Sequence, residues 1–311
     1  MIEVESLSKF YGPRQAVKNI SFKVNKGDVV GFLGPNGAGK TTTMNILCCL
    51  IPASHGTAKV CGYDIFEQSL EIRKIIGYLP ETPPIYPDMV VTDFLAFSAK
   101  IRLVSTNKIP AAVDRVVEKC GLKDVSRRII GKLSKGYQQR VGLSQAMIHD
   151  PEILILDEPT VGLDPIQIIE IRKLIKELAS SHTIILSSHI LPEVTQICNR
   201  VIIIHEGEIA AMDSLEGLTS SLRKSERLQL KVRNTPPDML GKLGKLKHVV
   251  SVHPEGDDRF LIECELESNL QDDVARMALE NKWGIVELKP ISMTLEDIFL
   301  KLTTVEHEAH I

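Results

Sequence analysis

No stretch of the sequence approaches the roughly 18 consecutive apolar residues that a membrane-spanning helix requires. The first ten residues, MIEVESLSKF, also lack the charged and then apolar layout of a secretory signal peptide. We therefore expect a cytoplasmic protein in which any membrane role comes through a partner.

The sequence has neither a large excess of charge of one sign nor a recognisable pattern of cysteines. The 37 basic and 40 acidic residues give a net charge of −3, so electrostatics give no reason to expect a nucleic-acid partner. The six cysteines include no CxxC pair and no paired spacing with histidines. We expect reduced, mostly buried thiols rather than disulfides or a metal site.

The first two-thirds of the sequence contains short apolar runs separated by helical patterns. Uninterrupted β-branched and leucine runs are typical of strands buried on both faces. In segment 164–180, isoleucine and leucine recur at helical spacing. The alternation predicts an α/β core with a largely parallel sheet. The predicted strands are Val29–Gly34, Ile76–Pro80, Ile153–Leu156, Thr183–Ser188 and Val201–His205.

Other patterns surround this core. The first thirty residues alternate more loosely and predict an antiparallel β layer, whereas residues from about 92 to 150 predict an inserted helical lobe. Composition changes after about residue 220, so we predict one domain over 1–220 and another over 221–311. The second is predicted to be a small α+β domain of the ferredoxin-like βαββαβ pattern, followed by a helix at Leu295–Leu302.

The first predicted strand of the core runs directly into GPNGAGKT, which matches the phosphate loop G-x-x-x-x-G-K-T. Its glycines allow backbone N–H groups to turn toward phosphate oxygens, and the next helix directs its positive end at the same anion. Lys40 adds a charge near the β- and γ-phosphates, and the Thr41 hydroxyl can bind Mg²⁺. The predicted nucleotide-binding residues are Gly34, Pro35, Asn36, Gly37, Ala38, Gly39, Lys40, Thr41 and Thr42.

Two carboxylates follow a buried strand in ILILDEP, and open α/β sheets bind their ligands at such strand ends. We predict that Asp157 belongs to the Mg²⁺ shell and that Glu158 accepts a proton from an attacking water. The alternative, a cap for the next helix, is disfavoured by Pro159. The strand IILSS leads to His189, for which we favour a γ-phosphate contact over a structural role.

An aromatic pair near the amino terminus is a candidate for base recognition. In FYGPRQAV, Tyr11 stands before a Gly-Pro turn, where its ring can stack on an adenine face. Phe10 is the competing candidate, and a packed core aromatic is the third alternative.

Together these motifs resemble the ATP-binding subunit of an ABC transporter over about residues 1–220. LSKGYQQR lies between the phosphate loop and ILILDEP and matches the family's signature motif, usually LSGGQ. The resemblance implies that two such domains dock head to tail and that each signature covers the ATP of the other. The signature residues are Leu133, Ser134, Lys135, Gly136 and Tyr137. Asp164 in VGLDP corresponds to the D-loop, which crosses the interface, and is also a good helix cap.

Each motif occurs once, so the resemblance implies a second copy of the chain, or a paralogous ATP-binding subunit, as partner. Three positions, in two motifs, depart from the family's pattern. Lys135 and Tyr137 replace the usual Gly and Gln of the signature, but the backbone N–H donors survive. Glu81 in IGYLPE replaces the usual Q-loop glutamine; it keeps an oxygen for Mg²⁺ but loses the amide donors. We expect Glu81 to keep the metal-sensing role.

The motifs IGYLPE, LSKGYQQR and LEDIFLKLT resemble the branch that serves ABC-2 type exporters. This implies an ATPase that uses ATP and Mg²⁺ to energise an integral membrane permease, which contacts the groove near TPPIYP. The carboxyl-terminal domain is either a packing lobe or a clasp for the dimer.

A soluble ABC ATPase acting on ribosomes or DNA is disfavoured because the chain has one ATP module and no long coiled coil. A non-catalytic nucleotide-gated protein is disfavoured because Lys40, Asp157 and Glu158 are intact.

Overall fold

The chain divides into two units, Met1–Leu215 and Glu216–Ile311. The computed structural model describes residues 1–221, 226–265, 270–291, 295–297 and 299. The unit boundary lies close to the predicted change near residue 220, and the assignment of two functional domains stays a prediction.

The strands and helices of the first unit alternate along most of its length. Its strands are β1 (Ile2–Tyr11), β2 (Arg14–Val24), β3 (Val29–Leu33), β4 (His55–Val60), β5 (Tyr63–Asp64), β6 (Ile76–Leu79), β7 (Ile153–Leu156), β8 (Thr183–Ser188), β9 (Arg200–His205) and β10 (Glu208–Ser214). Its helices are α1 (Lys40–Leu47), α2 (Ser69–Ile75), α3 (Val91–Ile101), α4 (Ile109–Lys119), α5 (Lys135–Met147), α6 (Pro165–Leu178) and α7 (Leu191–Ile197).

A six-stranded sheet with the order β10-β9-β3-β8-β7-β6 forms the centre of this unit. All neighbours pair in parallel except β10, which is antiparallel to β9. Every residue of β3, β7 and β8 is buried, as expected for strands covered on both faces. The predicted α/β core is therefore confirmed, and β10 is an edge strand that the sequence did not reveal.

A second sheet, β2-β1-β4-β5, forms the antiparallel layer. Its first two strands match the expectation for the first thirty residues. Strands β4 and β5 were not predicted, because they are short and only Ala58 and Val60 of β4 are buried. The layer packs on the central sheet, with the rings of Phe22 and Phe32 5.6 Å apart between centroids.

Helices α3, α4 and α5 form the helical lobe, joined by short 3₁₀ turns at Thr106–Lys108, Lys123–Val125 and Ile130–Lys132. Helix α4 buries residues at helical spacing, namely Ile109, Ala112, Val113, Val116 and Val117. Helix α5 begins after Ser134, whose hydroxyl accepts a hydrogen bond from the Tyr137 N–H. The signature motif therefore lies at a capped helix amino terminus.

The second unit contains β11 (Glu226–Val232), α9 (Met239–Leu243), β12 (Val249–Gly256), β13 (Arg259–Cys264), α10 (Leu270–Glu280) and β14 (Ile285–Ile291), after α8 (Leu215–Ser221) at the boundary. The sheet order β12-β13-β11-β14, with antiparallel neighbours, gives the predicted ferredoxin-like arrangement. Trp283 is buried in its core. The predicted helix at Leu295–Leu302 lies largely outside the described residues.

Four of the six cysteines, Cys48, Cys120, Cys198 and Cys264, are buried. Burial raises the pKa of the Cys120 thiol to about 11. Among the described residues, no helix combines the length and apolarity needed to cross a membrane.

Candidate functional site

A cavity opens where β3, β6, β7 and β8 end, as expected for an open α/β sheet. It brings together the phosphate loop, Glu81, Glu158 and His189, which are far apart in sequence. The residues that line it are Tyr11, Arg14, Ala16, Asn36, Gly37, Gly39, Lys40, Thr41, Thr42, Glu81, Glu158, Val161 and His189.

The phosphate loop connects β3 to α1, and its conformation depends on glycine. Gly37 and Gly39 have φ angles of +82° and +106°, in the region that favours glycine. A Cβ on Gly39 would lie 2.6 Å from the Ala16 carbonyl oxygen, so even alanine is excluded there. Helix α1 begins at Lys40, and its unpaired N–H groups therefore face the cavity. Gly34, Pro35 and Ala38 complete the loop behind the lining residues.

The Lys40 side chain is buried among oxygen atoms. Its ammonium donates hydrogen bonds to the carbonyl oxygens of Gly34 at 2.8 Å and Pro35 at 3.2 Å. It also lies 3.6 Å from Glu158 Oε1. The buried Lys40 ammonium is therefore held at the phosphate loop by carbonyl and carboxylate oxygens that an anionic ligand can replace.

Asp157 is fully buried, behind the lining residues. Its Oδ1 accepts a hydrogen bond of 2.5 Å from the Ser187 hydroxyl, while its buried Oδ2 has no hydrogen-bond partner among the residues that the structure describes. An unpartnered buried carboxylate oxygen is costly and is suited to a cation. With the Thr41 hydroxyl and the Glu81 carboxylate at the cavity wall, the available donors are the oxygen ligands that Mg²⁺ prefers. The residues predicted to hold Mg²⁺ therefore fit that ion.

Glu158 and His189 form a direct pair, with Glu158 Oε2 2.9 Å from His189 Nδ1. Glu158 has a φ angle of +47°, a strained value for a residue with a side chain, and its N–H donates to the Ser187 hydroxyl at 2.8 Å. Strand β8 pairs with β3, which brings His189 beside the phosphate loop as predicted. The carboxylate of Glu158 is consequently fixed between Lys40 and His189.

A tyrosine links the strand before Glu81 to the phosphate-loop helix. Tyr78 on β6 donates a hydrogen bond of 3.0 Å to Asn45 Oδ1 on α1. Burial, followed by the nearby negative charge of Asp157, raises the pKa of the Tyr78 hydroxyl well above its usual value. The hydroxyl therefore remains a donor over the physiological pH range.

The structure places only one of the two amino-terminal aromatic residues at the cavity. Tyr11 lines the cavity and is 48% exposed, whereas Phe10 packs edge-on against His55 with ring centroids 5.9 Å apart. Arg14 is a lining residue that the sequence analysis missed, and its guanidinium reaches the backbone at Gly37. The signal for Arg14 was a lone basic residue within the FYGPRQAV segment. Ala16, in the same segment, and Val161, the first residue of VGLDP, are lining residues that were also missed.

The signature residues, Leu133–Tyr137, lie against the D-loop segment, and neither they nor Asp164 belong to the cavity lining. Asp164 caps α6 by accepting the Gln167 N–H at 2.9 Å, and a Cβ on Gly136 would lie 2.6 Å from the Gln167 side chain. The Lys135 ammonium lies against Gly162 of the D-loop segment. Each chain therefore presents a nucleotide cavity and a separate signature surface.

Comparison with known proteins agrees with this geometry. A family model described as ABC transporter matches residues 17–161. The chain is 36% identical over 304 residues to the bacitracin transport ATP-binding protein BcrA of Bacillus licheniformis, covering 97% of each chain. It is 32% identical over 306 residues to the linearmycin resistance ATP-binding protein LnrL of Bacillus subtilis, covering 97% of this chain and 98% of that one.

Solved structures show the same fold. An ATP-binding subunit of an ABC transporter aligns with a TM-score of 0.64 and 27% identity, over 71% of this chain and 92% of that chain. A dimeric bacterial ABC transporter cassette aligns with a TM-score of 0.64 and 23% identity, over 69% of this chain and 99% of that chain. The chain belongs to the ATP-binding proteins of the ABC transporter family, and it is an ATPase that uses ATP with Mg²⁺.

Proposed function

We propose that two copies of this chain hydrolyse ATP at sites shared between them and thereby drive a membrane exporter of the ABC-2 type. ATP-binding subunits of this family dimerise and pair with membrane permeases. The observation that carries the shared site is the separation of the cavity from the signature surface within one chain. A second copy in head-to-tail orientation would bring its signature to the open side of the cavity.

Within one chain, the phosphate loop and Lys40 bind the phosphates. Lys40 is already desolvated, so its charge acts on a phosphate in a medium of lower dielectric than water. Tyr11 stacks on the adenine, and Arg14 adds a second positive charge at the loop. The exposure of Tyr11 into the cavity and the position of Arg14 beside Gly37 support these roles.

Glu158 is the general base, and His189 contacts the γ-phosphate. The 2.9 Å contact between their side chains orients the carboxylate toward the cavity, where it accepts a proton from the attacking water at Oε1 or Oε2. When bound, Mg²⁺ supplies charge neutralisation on the phosphate oxygens. Thr41, Asp157 and Glu81 would hold it, and the unpartnered Oδ2 of Asp157 supports this set.

The second chain contributes donors rather than a base. The Ser134 hydroxyl caps its helix by accepting a hydrogen bond, which leaves the O–H free to donate to a γ-phosphate across the interface. The Gly136 N–H at the same helix start is a second donor. Such helix-end attraction contributes about 0.3–1 kcal/mol when exposed and up to ~2 when partly buried, so closure also depends on Lys40 and the loop. Leu133, Lys135 and Tyr137 complete this surface, and Asp164 lies beside it.

Dimerisation with nucleotide tests the shared site. The Glu158→Gln variant, saturated with Mg·ATP, should elute and scatter light as a dimer in solution. Adding Ser134→Arg to the same variant should return the monomer, because a bulky side chain at the helix start blocks the interface while leaving the cavity of each chain intact. A Glu158→Gln protein that binds Mg·ATP and stays monomeric, both alone and with its permease, would contradict the proposal.

The surface next to Glu81 is suited to a permease segment. Tyr86 contacts Phe94 and Phe97 with ring centroids 6.0 Å and 5.8 Å away. Tyr86 and Phe97 remain 53% and 39% exposed, and Ile101 and Leu103 extend the apolar surface at 63% and 80% exposure. Apolar contacts so close to Glu81 would connect the permease to the metal site. The transport and resistance functions named for the relatives BcrA and LnrL support export as the direction.

Co-purification tests the permease and the placement on the membrane's inner face. The full chain, expressed with the membrane protein encoded beside it, should be recovered from membranes with that protein. Tyr86→Glu should abolish recovery while keeping the ATPase activity of the isolated chain. Met212 is an exposed apolar residue on β10, at the edge of the central sheet opposite β6. Met212→Glu is therefore the matched control, and this variant should be recovered with the membrane protein. Loss in both variants, or in neither, would contradict the assignment of this surface.

A further inference from the structure

A buried carboxylate on α7 has no part in the chemistry described above. Glu193 is 2% exposed, and its two oxygens bind different segments. Oε2 accepts hydrogen bonds from the Thr160 hydroxyl at 2.7 Å and the Ser188 hydroxyl at 3.1 Å. Oε1 lies 3.3 Å from the Arg172 guanidinium. Glu193 does not line the nucleotide cavity.

The partners of Glu193 flank the proposed catalytic pair. Thr160 lies two residues after Glu158, and Ser188 immediately precedes His189. Ser188 also accepts the Ile190 N–H at 2.9 Å, which fixes the chain on the far side of His189. One carboxylate oxygen therefore joins the two loops that carry Glu158 and His189.

Arg172 brings a third segment to the same carboxylate. It lies on α6, the helix that Asp164 of the D-loop caps, and its guanidinium also donates to Gln196 Oε1 at 3.2 Å. Burial of a carboxylate is costly unless it is paired and hydrogen-bonded, and Arg172 with the two hydroxyls supplies these partners. The position of α6 is thereby tied to the positions of both loops.

We propose that Glu193, held by Arg172, is a positioning residue for ATP hydrolysis that sets the geometry of the Glu158–His189 pair. The inference rests on the roles proposed for Glu158 and His189. Ser187 also binds Asp157 and the Glu158 N–H, so Glu193 adds to the hydrogen bonds that hold these two loops together. Loss of the Glu193 carboxylate leaves the Thr160 and Ser188 hydroxyls without their shared acceptor and displaces Glu158, the proposed base.

Glu193→Gln tests the proposal in the full-length protein. The amide keeps the shape of the side chain but turns an NH₂ group either toward Arg172, where only an acceptor fits, or toward the two hydroxyls, which then lose their shared acceptor oxygen. Because a displacement of about 1 Å can cost as much as about 100-fold in rate, kcat should fall by about 10- to 100-fold. KM and the Kd for Mg·ATP, measured by fluorescence titration, should change by less than about threefold. Unchanged kcat, or a rise in KM alone, would overturn the inference.

A double variant separates positioning from stability. Replacing both partners with apolar side chains, Arg172→Met with Glu193→Met, removes the unpaired buried charge and should recover most of any loss in Tm. It should not recover kcat, since Thr160 and Ser188 still lack their acceptor. Recovery of kcat together with Tm would mean that Glu193 acts only through stability.

Two controls complete the design. Asp28→Asn breaks another partly buried ion pair, Arg200–Asp28 at 2.8 Å, at the amino ends of β3 and β9. It should lower Tm without changing kcat. Glu158→Gln, measured in parallel, distinguishes failure of the proposed base from failure of the positioning role. Normal hydrolysis by Glu158→Gln would overturn the proposed base. Slow hydrolysis by Glu158→Gln together with normal hydrolysis by Glu193→Gln would overturn only the positioning role.

Discussion

Lys40 and Glu158 are in contact: the ammonium of one lies 3.6 Å from a carboxylate oxygen of the other, and both side chains are buried. The cation assigned to the phosphates and the carboxylate assigned to the water thus neutralise each other before nucleotide binds. We infer that Lys40 exchanges this contact for a phosphate when nucleotide binds, which would release Glu158 to act as the proposed base. Phosphate binding and activation of the base would then be linked through one side chain.

Glu158→Gln should bind Mg·ATP at least as tightly as the parent protein, since the amide no longer competes for Lys40. Hydrolysis should be slower by roughly 10²–10⁴, the usual range for loss of a general base. Single-turnover hydrolysis and nucleotide titration measure both quantities. Glu118→Gln, which removes an exposed ion pair with Lys123, is the control and should behave as the parent. A near-normal rate for Glu158→Gln would assign the base elsewhere.

Glu81→Ala should lower ATPase activity and its stimulation by the permease, because the cavity wall loses an oxygen ligand for Mg²⁺. Glu81→Gln keeps one carbonyl oxygen and should retain more activity than the alanine variant. Titrating Mg²⁺ at fixed ATP locates the defect in metal use. Equal activity and coupling in Glu81→Ala would contradict the metal-sensing role.

Acid should destabilise the first unit through His149. The side chain lies in the segment after α5, with Nε2 3.1 Å from the Ile76 carbonyl oxygen. Burial, reinforced by the positive charge of Arg102, lowers the pKa of His149 to about 4, whereas the unfolded value is about 6.5. The unfolded state therefore binds more protons between these values, and stability is lost as pH falls through that window.

The loss between pH 7 and pH 5 should amount to about 2 kcal/mol from this group. His149→Gln should remove that part of the pH dependence in urea unfolding followed by circular dichroism. The exposed His55 offers a control, since His55→Gln should leave the dependence unchanged. An identical acid slope in His149→Gln and the parent would contradict the assignment.

A chain ending at Ser221 tests the carboxyl-terminal unit. If this unit clasps the dimer, the shortened chain with Glu158→Gln should dimerise more weakly with Mg·ATP, measured by sedimentation. If it is only a packing lobe, dimerisation should be unchanged and Tm lower. The ATP affinity of the monomer is the internal control, because the described cavity lies within residues 11–189.

Much of the fold was predictable because local sequence patterns carry it. Strands Ile153–Leu156 and Thr183–Ser188 have the predicted bounds, and the other core strands differ by a residue at one end. Helix α6 begins after Asp164, as the Asp-Pro pair indicated. The strands that were missed, β4, β5 and β10, have few buried residues, so the apolar pattern that predicts a strand is weak in them.

The choice between Phe10 and Tyr11 shows why the site was harder to predict than the core. Adjacent strand residues point to opposite faces, so a shift of one residue in register would exchange them. That register is set by the pairing of Tyr11 with Arg14 on β2, which the sequence does not encode locally. The same pairing carries Arg14 to the cavity.

The sequence by itself determined the phosphate loop, the adjacent carboxylates and the signature helix start, because each needs specific residues within a few positions of one another. The tertiary structure alone decided which of these meet. Parallel pairing of β7 with β8 brought His189 to Glu158, Glu193 connected the loops that carry them, and the signature residues lie outside the cavity lining. These relationships depend on contacts between distant segments, and only the folded sheet fixes the distances between them.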